Sequence, residues 1–136
     1  MRITAFLLSL ALAGTAAAQP KPKWVRVHTY DDAVIEMEEI NLSFGNFGRV
    51  RFRTVFKEPR PLHGKPDVKF KTVVEDMEIL CAERKYRLGE AIYLDAKGVP
   101  VHSYKARGDA EWEEVRTHMM LRLLTPACRM IEKKRL

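Results

Sequence analysis

The sequence predicts an α+β domain: an antiparallel β-sheet of about five to six strands, with a C-terminal helix packed on one face and disulfide-linked to the sheet. Three observations carry this expectation. Between Trp24 and Tyr104 apolar residues recur mostly at every second position, the period of strands buried on one side. From Thr117 the period lengthens, and Leu121, Leu124, Cys128 and Ile131 fall three, four and three residues apart, the stripe of an amphipathic helix. The chain also has two cysteines, one in each region.

The start of the chain has a different character. Met1 and Arg2 are followed by an apolar run from Ile3 to Gly14 and by Ala16-Ala17-Ala18, the three-part pattern of a cleaved signal peptide. The run is shorter than the roughly 20 residues of a membrane span. Residues 1–18 are therefore expected to be a signal peptide and the mature chain to lack a transmembrane helix. Residues 19–23, QPKPK, form a flexible lead, and 24–136 make one domain, long enough for a single core. The net charge of +6 is spread through interspersed lysines, arginines and acids.

Export decides what the cysteines mean. Outside the cytoplasm a distant pair usually becomes a bridge; two buried free thiols are the alternative. No CxxC, HxH or HxxxH spacing accompanies them, so neither a metal nor another cofactor is expected. With no cysteine at the cleavage site, the chain is not expected to be a lipoprotein.

In order, Trp24 to Thr29 alternates as a strand, Asp31-Asp32 turns, and Ala33 to Met37 returns. Asp31, Asp32, Glu36, Glu38 and Glu39 lack the glycine bend of a calcium loop, so they read as a solvated acidic face. Gly45-Asn46 marks a tight turn. Arg49 to Lys57 then puts Val50, Phe52, Thr54 and Phe56 on one side and Arg49, Arg51 and Arg53 on the other. Residues 58–66, with Pro59, Pro61, Gly64 and Pro66, are expected to be the longest loop. Strand character resumes to Cys81, whose sulfur points inward. A second alternating run follows through Arg84, Tyr86, Leu88, Ile92 and Leu94; pattern does not separate one bent strand from two. Asp95-Ala96-Lys97-Gly98 has the chemistry of a hairpin loop with a bulge. Val99 to Tyr104 is the return strand and 105–111 a polar loop. Thr125-Pro126 predicts a kink or break in the helix. If the helix lies across the sheet, Cys81 and Cys128 join.

An early Trp24, the central run Cys81-Ala82-Glu83-Arg84-Lys85-Tyr86-Arg87-Leu88, the Asp95–Gly98 turn, a late Trp112 and a helical Cys128 together resemble the bacterial surface-adhesin protein E family (Adhesin_E-like domain). The resemblance implies an antiparallel sheet with a disulfide-tied C-terminal helix, a Gram-negative envelope location, and protein binding and adhesion rather than catalysis. The family's founding member is a surface lipoprotein that engages host matrix proteins. Lacking the lipid-bearing cysteine, this chain fits a periplasmic or secreted location.

The expected function is thus an exported non-catalytic binding module for a protein or an anionic polymer. Arg49, Arg51, Arg53, Arg60 and Lys65 are the candidate anion-binding residues, set against ordinary exposure of one side of a sheet. No catalytic residues are assigned. Ser43 and Ser103 sit in no nucleophile elbow, and His28, His63, His102 and His118 are scattered, which disfavours a small hydrolase or metal enzyme. An accessory subunit pairing through a sheet edge is the alternative. Export and the absence of a recognition motif disfavour nucleic acid.

Overall fold

Alternation places apolar side chains on one face of each strand, and such a face must be covered by another element. The computed structural model describes residues 18, 21–38 and 42–133. Of the expected signal peptide only Ala18 falls among them; Gln19, Pro20, Glu39 and the basic tail at 134 and 135 lie outside. Lys21 to Lys23 is exposed and without regular structure. The strands are β1 (Trp24–Thr29), β2 (Ala33–Glu38), β3 (Leu42–Phe44), β4 (Phe47–Leu62), β5 (Lys65–Leu80), β6 (Lys85–Leu94), β7 (Pro100–Lys105) and β8 (Glu113–Glu114). They form one antiparallel sheet in the order β1-β2-β4-β5-β6-β7, with β3 pairing β4 and β8 pairing β6. The helix α1 (His118–Lys133) closes the fold.

The segment expected to be a long loop is instead the end of a hairpin. β4 and β5 pair almost throughout and reverse at His63-Gly64, where Gly64 takes φ of 76°. The prolines are tolerated because β2 pairs β4 only as far as Phe56. Beyond that point one side of β4 has no ladder to interrupt. A register shift between Val55 and Arg60 bends this distal arm.

Residues 70–94 form two strands, joined by the turn at 81–84. Cys81 and Arg84 therefore lie in a turn rather than in strands, and Arg84 adopts a φ of 53°. The Cys81 amide still donates to the Asn46 carbonyl at 2.9 Å. In β6 the pairing skips Gly89, since Asp76 faces Glu90 while Met77 faces Leu88. This bulge switches the parity of the strand: Leu88 and Ala91, not Leu88 and Ile92, share the inner face. The Asp95–Gly98 loop forms as expected. Gly98 takes φ of 80°, and Asp95 Oδ1 accepts from the amides of Lys97 and Val99 at 2.8 and 2.9 Å.

The helix starts where the period changes, capped by Thr117 Oγ1 accepting from the Met120 amide at 3.2 Å. It runs through Pro126 as one helix, so of the expected kink or break the break does not occur. Proline costs one bond, to the carbonyl of exposed Arg122, which water can satisfy. Buried Leu123, Leu124, Ala127 and Ile131 hold both halves to the sheet. The buried stripe is thus displaced from the one expected, and Leu121 is exposed.

One core joins the helix to the sheet through Met37, Val50, Phe52, Met77, Ile79, Ala127 and Ile131. A smaller one, Leu62, Phe70, Val73 and Ala91, lies farther out on the hairpin. The Cys81–Cys128 disulfide, with Cα atoms 5.7 Å apart, anchors the helix to the turn after β5. At Gly48 the helix approaches so closely that an added Cβ would lie 2.1 Å from Ile131 Cδ1 and 2.7 Å from Cγ1.

Two outcomes are expected. The bridge spans 47 residues, so reduction or Cys81→Ser should destabilise the domain by about 4 kcal/mol in the chain-entropy treatment; identical melting with and without reductant would contradict this. Gly48→Ala should cost about 1–3 kcal/mol by overpacking against Ile131. Adding Ile131→Val should recover part of that loss, so urea denaturation should find the pair markedly non-additive.

Candidate functional site

Every second residue of β2, β4, β5 and β6 faces away from the helix, and on this outer side the signs alternate from strand to strand. Glu36 and Glu38 stand on β2, Arg49, Arg51 and Arg53 on β4, and Asp76 and Glu78 on β5. Arg87 and Glu90 follow on β6, and Lys105 on β7. Neighbouring strands bring such partners within reach of each other. Arg53 pairs with Glu36 and Arg87 with Glu78. Arg51 Nε donates to Asp76 Oδ1 at 2.7 Å and lies 3.5 Å from Glu38. Arg49 lies 3.5 Å from the other oxygen of Asp76, a residue only 9% exposed.

Glu36 and Glu38 of the expected acidic face and the arginines of β4 are therefore parts of one ion-paired lattice, whereas Asp32 pairs with Arg60 on the helix side. Both tryptophans finish it. The Arg53 guanidinium stacks on Trp24 at 4.4 Å and that of Arg87 on Trp112 at 4.6 Å, a favourable arrangement for a cation over an indole.

The five candidate cations do not converge. Arg49, Arg51 and Arg53 share the outer face, whereas Arg60 lies on the helix side, paired with Asp32 and stacked 4.4 Å over Phe56. Lys65 is exposed beside the hairpin turn. His102 and Ser103 take opposite faces of β7. Among the described residues no group of three or more His, Cys, Asp or Glu is arranged to hold a metal. No helix there is long and apolar enough to cross a membrane.

On the helix side, between the two cores, the sheet and the first turns of α1 leave a cleft of about 480 Å³, within the range of small-molecule sites. Phe52, Thr54 and Met77 form its floor, and Met119, Met120 and Leu123 one wall. Glu75 also lines it, in register with Phe52 and Ala91 and on the same side of β5 as Val73 and Met77. Among the described residues this carboxylate has no hydrogen-bond or ion-pair partner. Burial pushes its pKa above the ordinary carboxyl value. At the rim the Tyr86 hydroxyl donates to Glu113 Oε2 at 2.9 Å. Burial, then this hydrogen bond and the Glu113 charge, raise the phenol's pKa.

Sequence reasoning did not single out Glu75. Its signal was a carboxylate at an inward-facing position between Val73 and Met77, readable only once the strand's inner parity was fixed.

No family model, curated protein or solved structure matches the chain.

The raised pKa of Glu75 has a definite sign for stability. The folded state keeps its proton to higher pH than the unfolded chain does. The stabilisation this gives is fully present below the unfolded value of 4.5 and is lost as pH rises through the folded value. Glu75→Gln should therefore become stabilising relative to wild type as pH rises across that window, with little difference below it. Parallel denaturant melts between pH 4 and 8 check this; a constant difference would refute it.

Proposed function

We propose that this chain is an exported, non-catalytic binding module of the bacterial envelope, of the surface-adhesin protein E type, acting from the periplasm or as a secreted protein. The observation that carries the reading is the Cys81–Cys128 disulfide in a chain whose first residues have the pattern of a signal peptide. Such bonds persist in oxidising compartments, and here the bond fixes α1 to the sheet. The residues behind the family resemblance support it further. Trp24 and Trp112 stack on arginines of the outer face, while the run from Cys81 supplies the disulfide turn and the start of β6.

The charge pattern favours a protein as partner. A polyanion seeks a uniform positive stripe, whereas the outer face alternates acids and arginines that already pair with one another. Mixed signs of this kind match a complementary mixed surface and set its register. An accessory role by strand addition is the second reading, favoured by β1 and β7 lying at the two ends of the strand order.

The test is fractionation of the native host followed by cross-linked capture. The processed chain should appear outside the cytoplasm, joined to a protein partner. Arg53→Glu should weaken capture and reduce its sensitivity to salt. Retention of an unprocessed chain in the cytoplasm would overturn the proposal. Capture unaffected by ionic strength would remove the outer face from it.

A further inference from the structure

The cleft beside α1 is not used by the outer-face reading, and its chemistry points to an occupant of its own. Its floor and helix wall are apolar, yet three carboxylates line it, Asp32, Glu75 and Glu113, against one guanidinium, Arg60. Asp32 and Arg60 satisfy each other, and Glu113 accepts the Tyr86 hydroxyl. Glu75 alone is left without a partner among the described residues. The cleft is therefore negative within a chain whose net charge is +6. The wall has the adaptability a ligand site needs: Met119 is 52% exposed, Met120 adjoins it, and methionine side chains reshape readily around different apolar groups.

We propose that this cleft binds a small amphiphilic cation, an apolar chain or ring bearing one protonated amine. The apolar part lies against Phe52, Met77 and Met120, and the ammonium meets the Glu75 carboxylate. An unpaired carboxylate among apolar side chains is costly to keep charged. A bound ammonium supplies the missing charge and hydrogen bonds, and its apolar body removes the methionine wall from water. A neutral amphiphile gains only the second effect, and an anionic one meets like charge. The biological use of such a site rests on the binding-module reading, but the site itself does not depend on where the chain is located.

The exported chain, purified with its disulfide intact and carrying labelled methionine methyl groups, is titrated at pH 8 with n-octylammonium below its micelle range. Octanol and octanoate are titrated in parallel. The expected result is a saturable shift of the Met77, Met119 and Met120 methyls by octylammonium. Octanol should bind roughly tenfold more weakly, as loss of one charge-assisted contact predicts, and octanoate more weakly still. Glu75→Gln should bring octylammonium down to the affinity of octanol. Equal affinity of octanol and octylammonium, an unchanged affinity in Glu75→Gln, shifts confined to other methionines, or no binding would each overturn the proposal. So would tightest binding of octanoate, which would assign the mouth to the helix N-terminus. If Glu75→Gln does not fold, Met119→Trp, which fills the mouth, must abolish the Met120 shift; its persistence would equally overturn the proposal. Because the titration uses purified protein, its failure leaves export and envelope location untouched, and mislocalisation leaves the titration untouched.

Discussion

The seating of one helix on one end of the sheet is the constraint on which the fold depends. Ile131 and Ala127 are fully buried at that contact, and Gly48 lets β4 pass beneath them without a side chain between. The disulfide then fixes where along the sheet the helix lies. A helix of 16 residues cannot cover strands of equal residue count, because a strand rises more than twice as far per residue. The sheet therefore extends past its cover, and the cleft opens where cover ends. Helix position, the separation into two cores and the exposure of Glu75 to the cleft are one geometric fact.

The opposite face is solved by charge rather than by packing. Among the described residues no second layer covers it, so its side chains must suit water on one side and the pleat on the other. Acids and arginines on neighbouring strands do this while pinning the register of β2, β4, β5 and β6. Half-exposed ion pairs contribute little individually. Their main value here is specificity, since a slip of one strand by one residue would turn its charges onto the face that α1 covers and set them opposite apolar side chains.

Much of this was legible in the chain. The Asp95–Gly98 loop, the Gly45-Asn46 turn and the start of the helix at Thr117 are local chemistry, and each formed where its residues predicted. The bridge followed from two periodic patterns, strand and helix, whose expected inward faces each held a cysteine, although Cys81 lies in the turn after β5. What was not legible depended on neighbours. The prolines of 58–66 read as a loop because sequence does not reveal that β2 stops short of them. The bulge at Gly89 switched the inner parity of β6. The arginine stripe lost its free charge only once β2 and β5 were placed beside it. Pro126 read as a kink or break, and the break does not occur because the buried residues on both sides of it are held by the sheet. Glu75 was missed for the same reason: a carboxylate becomes unusual only when its surroundings are known.

The distal arm carries a consequence for solubility. Residues 58–62 of β4 lie beyond the last contact with the β2 side, the Lys57 amide donating to the Asp32 carbonyl at 2.9 Å, and residues 65–70 of β5 lie beyond the first pairing of β6 at Leu94. Among the described residues such a hairpin has two bare edges, each a template for a strand from another molecule. Pro59 and Pro61 remove donors from one edge and Pro66 from the other, while Lys57, Lys65 and Lys69 add charge that repels a second copy. The residues that disguised this hairpin as a loop are those that keep its edges from recruiting neighbours into a growing stack.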